Sequence, residues 1–229
     1  MGTLGNVLIT GGASGLGAAA VREVAAQGGT PLVIDRAEPV DDVRHLRADL
    51  ADRQEAENAV RELARSVGDR LDGVFTAAGV DSCGPLESVP AEEWERVVRT
   101  NLLGTVAVAR AALPYLRDSG GTLVTCSSTL GIKAVPDATA YCASKFGVLG
   151  FSRALAAETA GRVGVTTLIP GGMHTSFFDG RDPQYQPPAD AKLNKPEDVA
   201  RTVVFALSQP AGCEVRELVV CSSEEGSWP

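Results

Sequence analysis

Thr10-Gly-Gly-Ala-Ser-Gly-Leu-Gly17 is the stretch that decides the fold of this chain of 229 residues. It follows the short apolar run Val7-Leu-Ile-Thr10, which predicts a buried strand, and it opens a segment of helix formers from Leu16 to Gln27. A glycine-rich turn between a strand and a helix lets the backbone approach a phosphate, and the free N–H groups of the helix face that anion. The sequence therefore predicts a dinucleotide-binding loop, and the alternative is a plain glycine-rich turn.

Strand and helix signals alternate along the rest of the chain. Further strands are predicted at Leu32–Ile34, His45–Ala48, Leu71–Ala77, Thr122–Thr125, Val163–Ile169 and Leu218–Val220, with helices at Arg53–Val67, Pro90–Leu116, Tyr141–Thr159 and Glu197–Leu207. Alternation of this kind predicts an α/β protein: a single-domain Rossmann fold over residues 1–229, with a doubly wound parallel seven-stranded sheet and helices on both faces. The irregular segment 171–194 follows a strand end, which predicts a loop over the substrate.

An acid at the end of the second strand bears on the choice of cofactor. Asp35 lies where a carboxylate can accept hydrogen bonds from the adenosine ribose hydroxyls. It would repel a 2′-phosphate, and Ser14 in the glycine loop offers no positive charge for one, so we expect NAD in preference to NADP. Arg36 keeps the alternative open, because its side chain could stack on adenine, meet a 2′-phosphate or lie in solvent.

Tyr141-Cys-Ala-Ser-Lys145 carries a second pattern with chemical meaning. Residues four apart on a helix share one face, so the phenol and the ammonium are expected to lie side by side. A phenol titrates near pH ~10 in water, and a neighbouring cation lowers its pKa. The pattern therefore predicts a phenol that exchanges a proton with a substrate hydroxyl or carbonyl, and the alternative is a packed tyrosine beside a solvated lysine.

Composition excludes several classes of function. The formal charge of -8 and the absence of a basic run argue against nucleic-acid binding. No apolar stretch approaches the ~20 residues that span a bilayer, and no targeting signal stands out, so a cytoplasmic protein is predicted. The five cysteines are scattered without Cys-x-x-Cys spacing, which is typical of small buried side chains. With His45 and His174 as the two histidines, no metal site is expected.

Taken together, these motifs resemble the short-chain dehydrogenase/reductase family over nearly the whole chain. The family's Thr-Gly-x-x-x-Gly-x-Gly loop and Tyr-x-x-x-Lys pair both match, and its serine about thirteen residues before the tyrosine matches Ser128. Its Asn-x-x-Gly in the long fourth helix matches Asn101-Leu-Leu-Gly104, and its Pro-Gly element matches Pro170-Gly-Gly-Met-His-Thr175.

The resemblance implies a catalytic role for four residues. Tyr141 would be the general acid/base, and Lys145 would hold the nicotinamide ribose and lower the pKa of the tyrosine. Ser128 would hydrogen-bond the substrate oxygen, or else only the backbone at its strand end. Asn101 would hold a water in a proton relay that reaches the lysine, or else only brace neighbouring backbone. The implied reaction is hydride transfer between nicotinamide C4 and a carbinol carbon.

Larger sets of residues are expected around the cofactor and the substrate. The cofactor set is Gly11, Ser14, Gly15, Leu16, Gly17, Asp35, Arg36, Asp49, Leu50, Ala77, Ala78, Gly79, Tyr141, Lys145, Pro170, Gly171, Met173 and Thr175. The substrate set is Ser128, Leu130, Val135, Phe177 and Phe178, with Tyr185 nearby. These mostly apolar side chains indicate a hydrophobic secondary alcohol or ketone, such as a steroid-, polyketide- or hydroxyacyl-like substrate. Arg181 and Lys192 leave a CoA or carrier-protein thioester open.

Two departures from the family pattern matter. Thr76-Ala-Ala-Gly79 replaces the usual Asn-Asn-Ala-Gly and removes an asparagine that braces the neighbouring strand, so local stability is in question. The segment 219–229 lacks the usual Val-Asp-Gly-Gly, so a homo-oligomer is expected but not specifically the common tetramer. Two other functions stay open: a catalytically weak cofactor-sensing protein, and an epimerase or dehydratase, although the latter typically have a Gly-x-x-Gly-x-x-Gly loop.

Overall fold

The computed structural model describes residues 4–210 and 212–227. Its strands are β1 Asn6–Thr10, β2 Thr30–Asp35, β3 Arg44–Arg47, β4 Gly73–Thr76, β5 Thr122–Cys126, β6 Gly164–Pro170 and β7 Glu217–Val220. They form one parallel sheet in the order β3-β2-β1-β4-β5-β6-β7. The predicted doubly wound α/β fold is confirmed, and the predicted strands differ from these bounds by only a few residues.

Helices cover both faces of this sheet. Within the described residues they are α1 Gly15–Ala26, α2 Arg53–Arg65, α3 Ala91–Val98, α4 Thr105–Ser119, α5 Thr139–Glu158 and α6 Pro196–Leu207. Successive strand residues point to opposite faces, and β1 shows this directly. Leu8 joins the core beneath α2, α4 and α5, whereas Val7 and Ile9 join the core beneath α1 and α6. None of the described helices combines the length and apolarity that crossing a membrane requires.

The long helix predicted at Pro90–Leu116 is wrong as a single element. A π-helix, Arg99–Gly104, separates α3 from α4. Tertiary contacts hold this wider turn: the Asn101 side chain binds the backbone of Val80, and a Cβ on Gly104 would lie 2.7 Å from the carbonyl oxygen of Leu50. Such contacts are invisible to helix periodicity, which reads both sides of the π-helix as one amphipathic segment.

The strand order places the functional region. It reverses between β1 and β4, because the chain winds outward from β1 to β3 and then returns to the other side of β1. Parallel α/β sheets leave a crevice at the carboxyl ends of the strands at such a point. The glycine loop after β1, Asp35 at the end of β2 and Gly79 after β4 all follow strand ends, so the fold brings them to one edge.

Candidate active site

Two glycines of the loop between β1 and α1 lie where a side chain would not fit. Gly11 has φ +71°, and a Cβ on it would lie 2.8 Å from the backbone nitrogen of Ala78. A Cβ on Gly17 would overlap the carbonyl oxygen of Gly11. The loop therefore packs backbone against backbone, which keeps its N–H groups close to whatever occupies the crevice.

The N-terminus of α1 faces this crevice with its charge uncompensated. The helix begins at Gly15, its N-cap Ser14 makes no side-chain capping bond, and its first turn carries no acidic residue. The free N–H groups and the positive end of the helix dipole suit a phosphate group. The residues present therefore fit the pyrophosphate of a dinucleotide.

Asp35 ties the end of β2 to the glycine loop. Its Oδ2 accepts a hydrogen bond from Ala13 N at 3.0 Å, and its Oδ1 accepts one from Ala37 N at 2.9 Å. The guanidinium of Arg36 lies 3.8 Å from the Asp49 carboxylate and is more than half exposed. The carboxylate is thus fixed at the crevice, while Arg36 is paired with another acid.

A cavity of about 660 Å³ runs from the glycine loop to the candidate catalytic residues. All eighteen predicted cofactor residues line it, and so do Ser128, Leu130, Phe177 and Phe178. Asn101 and Val135 do not. The parallel topology thus gathers motifs that are spread over 165 residues, from Gly11 to Thr175, around one space.

Tyr141, Ser128 and Lys145 all line this cavity. Lys145 is 3% exposed, its Nζ donates to the carbonyl oxygen of Cys126 at 2.9 Å, and it lies 5.5 Å from the centre of the Tyr141 ring. Ser128 Oγ accepts a hydrogen bond from Leu130 N at 3.1 Å, the backbone bond of the alternative interpretation, and the same side chain lowers the pKa of Tyr141. The serine can therefore help to cap the turn while it faces the phenol.

Burial controls the proton affinities of this group. It raises the pKa of Tyr141 well above its ordinary value, and the hydrogen bond with Ser128 opposes only part of that rise. Burial also lowers the pKa of Lys145. The prediction that Lys145 lowers the pKa of Tyr141 stays a prediction: the ammonium lies near the ring and is bonded to the Cys126 carbonyl, while burial sets the direction of the net shift. Burial therefore favours the neutral phenol of Tyr141, which is the form that can donate a proton.

Asn101 is buried behind Tyr141 and Lys145 and does not line the cavity. Its Oδ1 accepts from Val80 N at 2.8 Å, and its Nδ2 donates to Val80 O at 2.9 Å and to Ser144 Oγ at 3.1 Å. A Cβ on Gly79 would lie 3.5 Å from Asn101 Oδ1 and 3.6 Å from Lys145 Nζ, so the amide adjoins the lysine. The side chain makes the bracing bonds that the alternative interpretation expected.

The substrate end of the cavity is formed by the loop 171–194. The ring of Phe177 lies 5.7 Å from that of Tyr141, and the ring of Phe178 lies 5.7 Å from that of Phe177. A short bridge between Met173 and Asn194 closes the base of the loop. The loop is therefore anchored at both ends while its aromatic residues face the phenol.

Two residues expected near the substrate lie off the cavity. Val135 is half-buried in the turn before α5, and Tyr185 donates from its hydroxyl to Asp137 Oδ2 at 3.1 Å. Asp137 has φ +60°, and its carbonyl oxygen accepts from Gly84 N at 2.8 Å. This turn is held against two other loops, and Val135 lies off the cavity, so its place at the substrate stays a prediction.

Comparison with known proteins settles the family. The model of the short chain dehydrogenase family matches residues 5–186. The chain belongs to this family. It is 32% identical over 226 residues to a D-threitol dehydrogenase of Mycolicibacterium smegmatis, with 89% of this chain and 86% of the relative covered. It is 30% identical over 220 residues to a 3-oxoacyl-(acyl-carrier-protein) reductase of Thermotoga maritima, with 88% and 89% covered.

A solved structure gives the same fold. An alcohol dehydrogenase from the archaeon Thermococcus sibiricus, complexed with 5-hydroxy-NADP, superposes with a TM-score of 0.86 at 24% identity, covering 96% of this chain and 97% of that one. The chain is therefore a short-chain dehydrogenase, an oxidoreductase of a family that acts on alcohols and ketones with NAD(P).

Several residues of this dehydrogenase site were missed by sequence reasoning. Ser127 Oγ donates to Lys145 O at 2.9 Å, and Ser144 Oγ donates to Tyr141 O at 2.8 Å, so the two serines fix the backbone of the Tyr-x-x-x-Lys turn. Glu225 Oε2 accepts from Gly172 N at 2.9 Å and lines the cavity. The serines stand beside residues already singled out, whereas nothing in the sequence signals the glutamate.

The segment after β7 packs onto its own chain. Glu225 Oε1 accepts from Ser227 Oγ at 2.6 Å, Ser227 Oγ lies 2.6 Å from Thr129 Oγ1, and Lys133 Nζ donates to Gly226 O at 3.0 Å. Residues 222–227 thereby close one wall of the cavity. The last two residues of the unusual segment 219–229 lie outside the described residues.

Neither histidines nor cysteines form a metal centre within residues 4–210 and 212–227, where no three His, Cys, Asp or Glu side chains come together as ligands. His174 is exposed on the outer side of the substrate loop. The five cysteines are free, and Cys126 and Cys142 are buried.

Proposed function

We propose that this short-chain dehydrogenase transfers a hydride between NAD(H) and a secondary alcohol or ketone, with Asn101, Ser128, Tyr141 and Lys145 as its functional set. One observation carries the proposal: the glycine loop and the Tyr141–Ser128–Lys145 group line one continuous cavity. A dinucleotide with its pyrophosphate on the loop would extend toward the phenol. When bound, the nicotinamide supplies or accepts the hydride.

The side chains of this chain would handle the proton. In carbonyl reduction, the neutral phenol of Tyr141 donates its proton to the substrate oxygen as the carbonyl carbon becomes a carbinol carbon. Ser128 holds that oxygen, and the ammonium of Lys145, in place behind the phenol, favours the phenolate that is left. Asn101 keeps the backbone at Val80 and α5 in position.

A preference for NAD over NADP is supported by the surroundings of Asp35. Its carboxylate is fixed at the cavity by two backbone N–H groups, and a 2′-phosphate nearby would meet that negative charge. Arg36, the cation that could offset it, is paired with Asp49. Titration with NADH and then with NADPH, monitored by nicotinamide fluorescence, tests this preference. NADH should bind more tightly than NADPH, and Asp35→Asn should narrow the difference between the two affinities. Tighter NADPH binding would contradict the assignment.

The substrate is proposed to have an apolar part that packs beside Phe177 and Leu130, both on the cavity.

A homo-oligomer is proposed as well. Leu103 of the π-helix and Phe146 of α5 are 54% and 45% exposed on two elements that contact each other, and a second copy could cover them. The cytoplasmic location predicted from the sequence stays a prediction.

The decisive experiment for the proposed function removes the hydroxyl group of Tyr141. Tyr141→Phe should remove nearly all turnover, because the phenol is the group that gives its proton to the substrate oxygen, while NADH binding stays within about twofold. Tyr115→Phe on α4 is the matched control and should keep turnover. If Tyr141→Phe keeps its turnover, the acid/base assignment fails. If the wild-type protein binds NADH but reduces no ketone, the cofactor-sensing alternative replaces the enzyme.

A further inference from the structure

The substrate end of the cavity contains a buried ion pair that the proposed chemistry does not use. Arg181 Nη2 lies 3.2 Å from Asp81 Oδ2, and the two side chains are only 15% and 6% exposed. Both residues line the cavity. Placing opposite charges in an otherwise aromatic pocket is costly unless both are well paired, so the pair calls for a function.

The pair is built from two separate segments. Asp81 follows β4 and is oriented by Ser82 N, which donates to Oδ1 at 2.8 Å. Arg181 comes from the substrate loop, where its guanidinium lies 4.7 Å and 4.8 Å from the ring centres of Phe177 and Phe178. Contacts with two aromatic rings restrict the position of a guanidinium and therefore the directions in which its N–H groups can donate.

The pair also lies close to the candidate phenol. Phe177 contacts both residues, since its ring centre lies 5.7 Å from that of Tyr141 and 4.7 Å from the guanidinium of Arg181. Asp81, Arg181 and Tyr141 line the same cavity, so a substrate whose reacting carbon lies at the phenol can reach the pair with its neighbouring atoms.

The hydrogen-bonding capacity of the pair is not used up. Arg181 Nη2 is buried and, despite its closeness to Asp81, makes no hydrogen bond of good geometry within the described residues. A buried donor without an acceptor is unfavourable by an amount comparable to a hydrogen bond. An incoming group that accepts from the guanidinium would remove that penalty.

We propose that Asp81 and Arg181 together bind a second hydroxyl of the substrate, so that this enzyme acts on hydroxy ketones and diols. The inference rests on the proposed function and specifies its substrate class. A hydroxyl is the group that donates to a carboxylate and accepts from a guanidinium at once. The charges of the pair cancel, so an anionic substrate gains from Arg181 but is repelled by Asp81, and an ammonium substrate meets the reverse.

The test compares ketones that differ by one group. Acetoin and butanone share a four-carbon chain, and acetoin adds a hydroxyl beside the carbonyl, whereas acetoacetate carries a carboxylate instead. With NADH, kcat/KM for acetoin should exceed that for butanone by about 10- to 100-fold, the range for a hydrogen bond to a charged group. Acetoacetate should be reduced no better than butanone.

Variants of the two residues should both lower the acetoin preference but should differ in their effect on acetoacetate. Asp81→Asn removes the negative charge but keeps the shape, so the acetoin preference should fall about tenfold and acetoacetate should improve. Arg181→Gln should lower the acetoin preference without improving acetoacetate. Asp41→Asn is the control: it removes a carboxylate from a surface ion pair with Arg22 and should leave all three ratios unchanged.

The outcomes separate this inference from the proposed function. The hydroxyl assignment is overturned if kcat/KM is equal for acetoin and butanone, or if the acetoin preference survives both variants. In either case, reduction of any ketone still upholds the proposed dehydrogenase activity. A wild-type preference for acetoacetate overturns it in favour of an anion site at Arg181. No reduction of any ketone by the wild-type protein overturns both.

Discussion

Replacing Asn101 by alanine should lower the free energy of unfolding by about 3 kcal/mol. The side chain is 1% exposed and makes three hydrogen bonds, two to the backbone of Val80 and one to Ser144 Oγ. Each such bond contributes about 1 kcal/mol net, and each buried group left without a partner adds to the loss. The sum places this substitution at the severe end for a polar residue.

Urea unfolding followed by circular dichroism measures this difference, with Asn58→Ala as the control. Asn58 on α2 also makes two side-chain hydrogen bonds, with Gln54 and Arg61, but in solvent. Its loss should change the free energy of unfolding by no more than about 0.5 kcal/mol. The difference between the two losses of unfolding free energy reports the effect of burial, since both variants lose an amide and its hydrogen bonds.

The result also decides between the two interpretations of Asn101. A loss below about 1 kcal/mol, less than one of its bonds is expected to contribute, would refute the bracing argument. If turnover disappeared without that loss, the amide would act in the proton relay instead. A loss near the expected value, with turnover partly kept at low temperature, supports bracing as its main role.

Three further predictions concern single positions. Gly17→Ala should weaken NADH binding by at least about tenfold in the fluorescence titration, because its Cβ would overlap the carbonyl oxygen of Gly11. Gly150→Ala is the control: a Cβ there meets open space, so this variant should bind NADH normally. Thr76→Val should raise the free energy of unfolding by about 1 kcal/mol, since it removes a buried hydroxyl without a hydrogen-bond partner; thermal unfolding checks this, and a fall would mean that the hydroxyl is satisfied. Because burial raises the pKa of Tyr141, its phenolate absorbance in the cofactor-free protein, taken as the difference from Tyr141→Phe, should appear above pH ~10, and ionisation near neutral pH would contradict the desolvation argument.

The cofactor end of the site could be predicted because its residues follow strand ends. The glycine loop after β1 and Asp35 at the end of β2 are recognisable from local sequence, and parallel topology brings strand ends to one edge. Once the strands are assigned correctly, no further information is needed to place them together.

The substrate end could not be predicted in the same way, because it is formed by irregular segments. Asp81 and Arg181 are 100 residues apart, and no periodicity relates them. Val135 was expected on the cavity from its position between Ser128 and Tyr141, but the turn at Asp137 holds it elsewhere. The effect of burial on the pKa of Tyr141 could not be predicted for a related reason: helix spacing identifies a neighbouring cation but does not reveal how much water surrounds the phenol.

The π-helix between α3 and α4 has a consequence for how this protein tolerates deletions. A π-turn holds one more residue than an α-turn, so removing one residue, such as Leu103, would let 99–104 close into regular α-helix. The regular helix would be intrinsically more favourable, yet one residue corresponds to about 100° of rotation around the axis. Asn101 would then turn away from Val80 and Ser144. The extra residue therefore fixes the rotation of α3 relative to α4, although it makes the helix irregular between them.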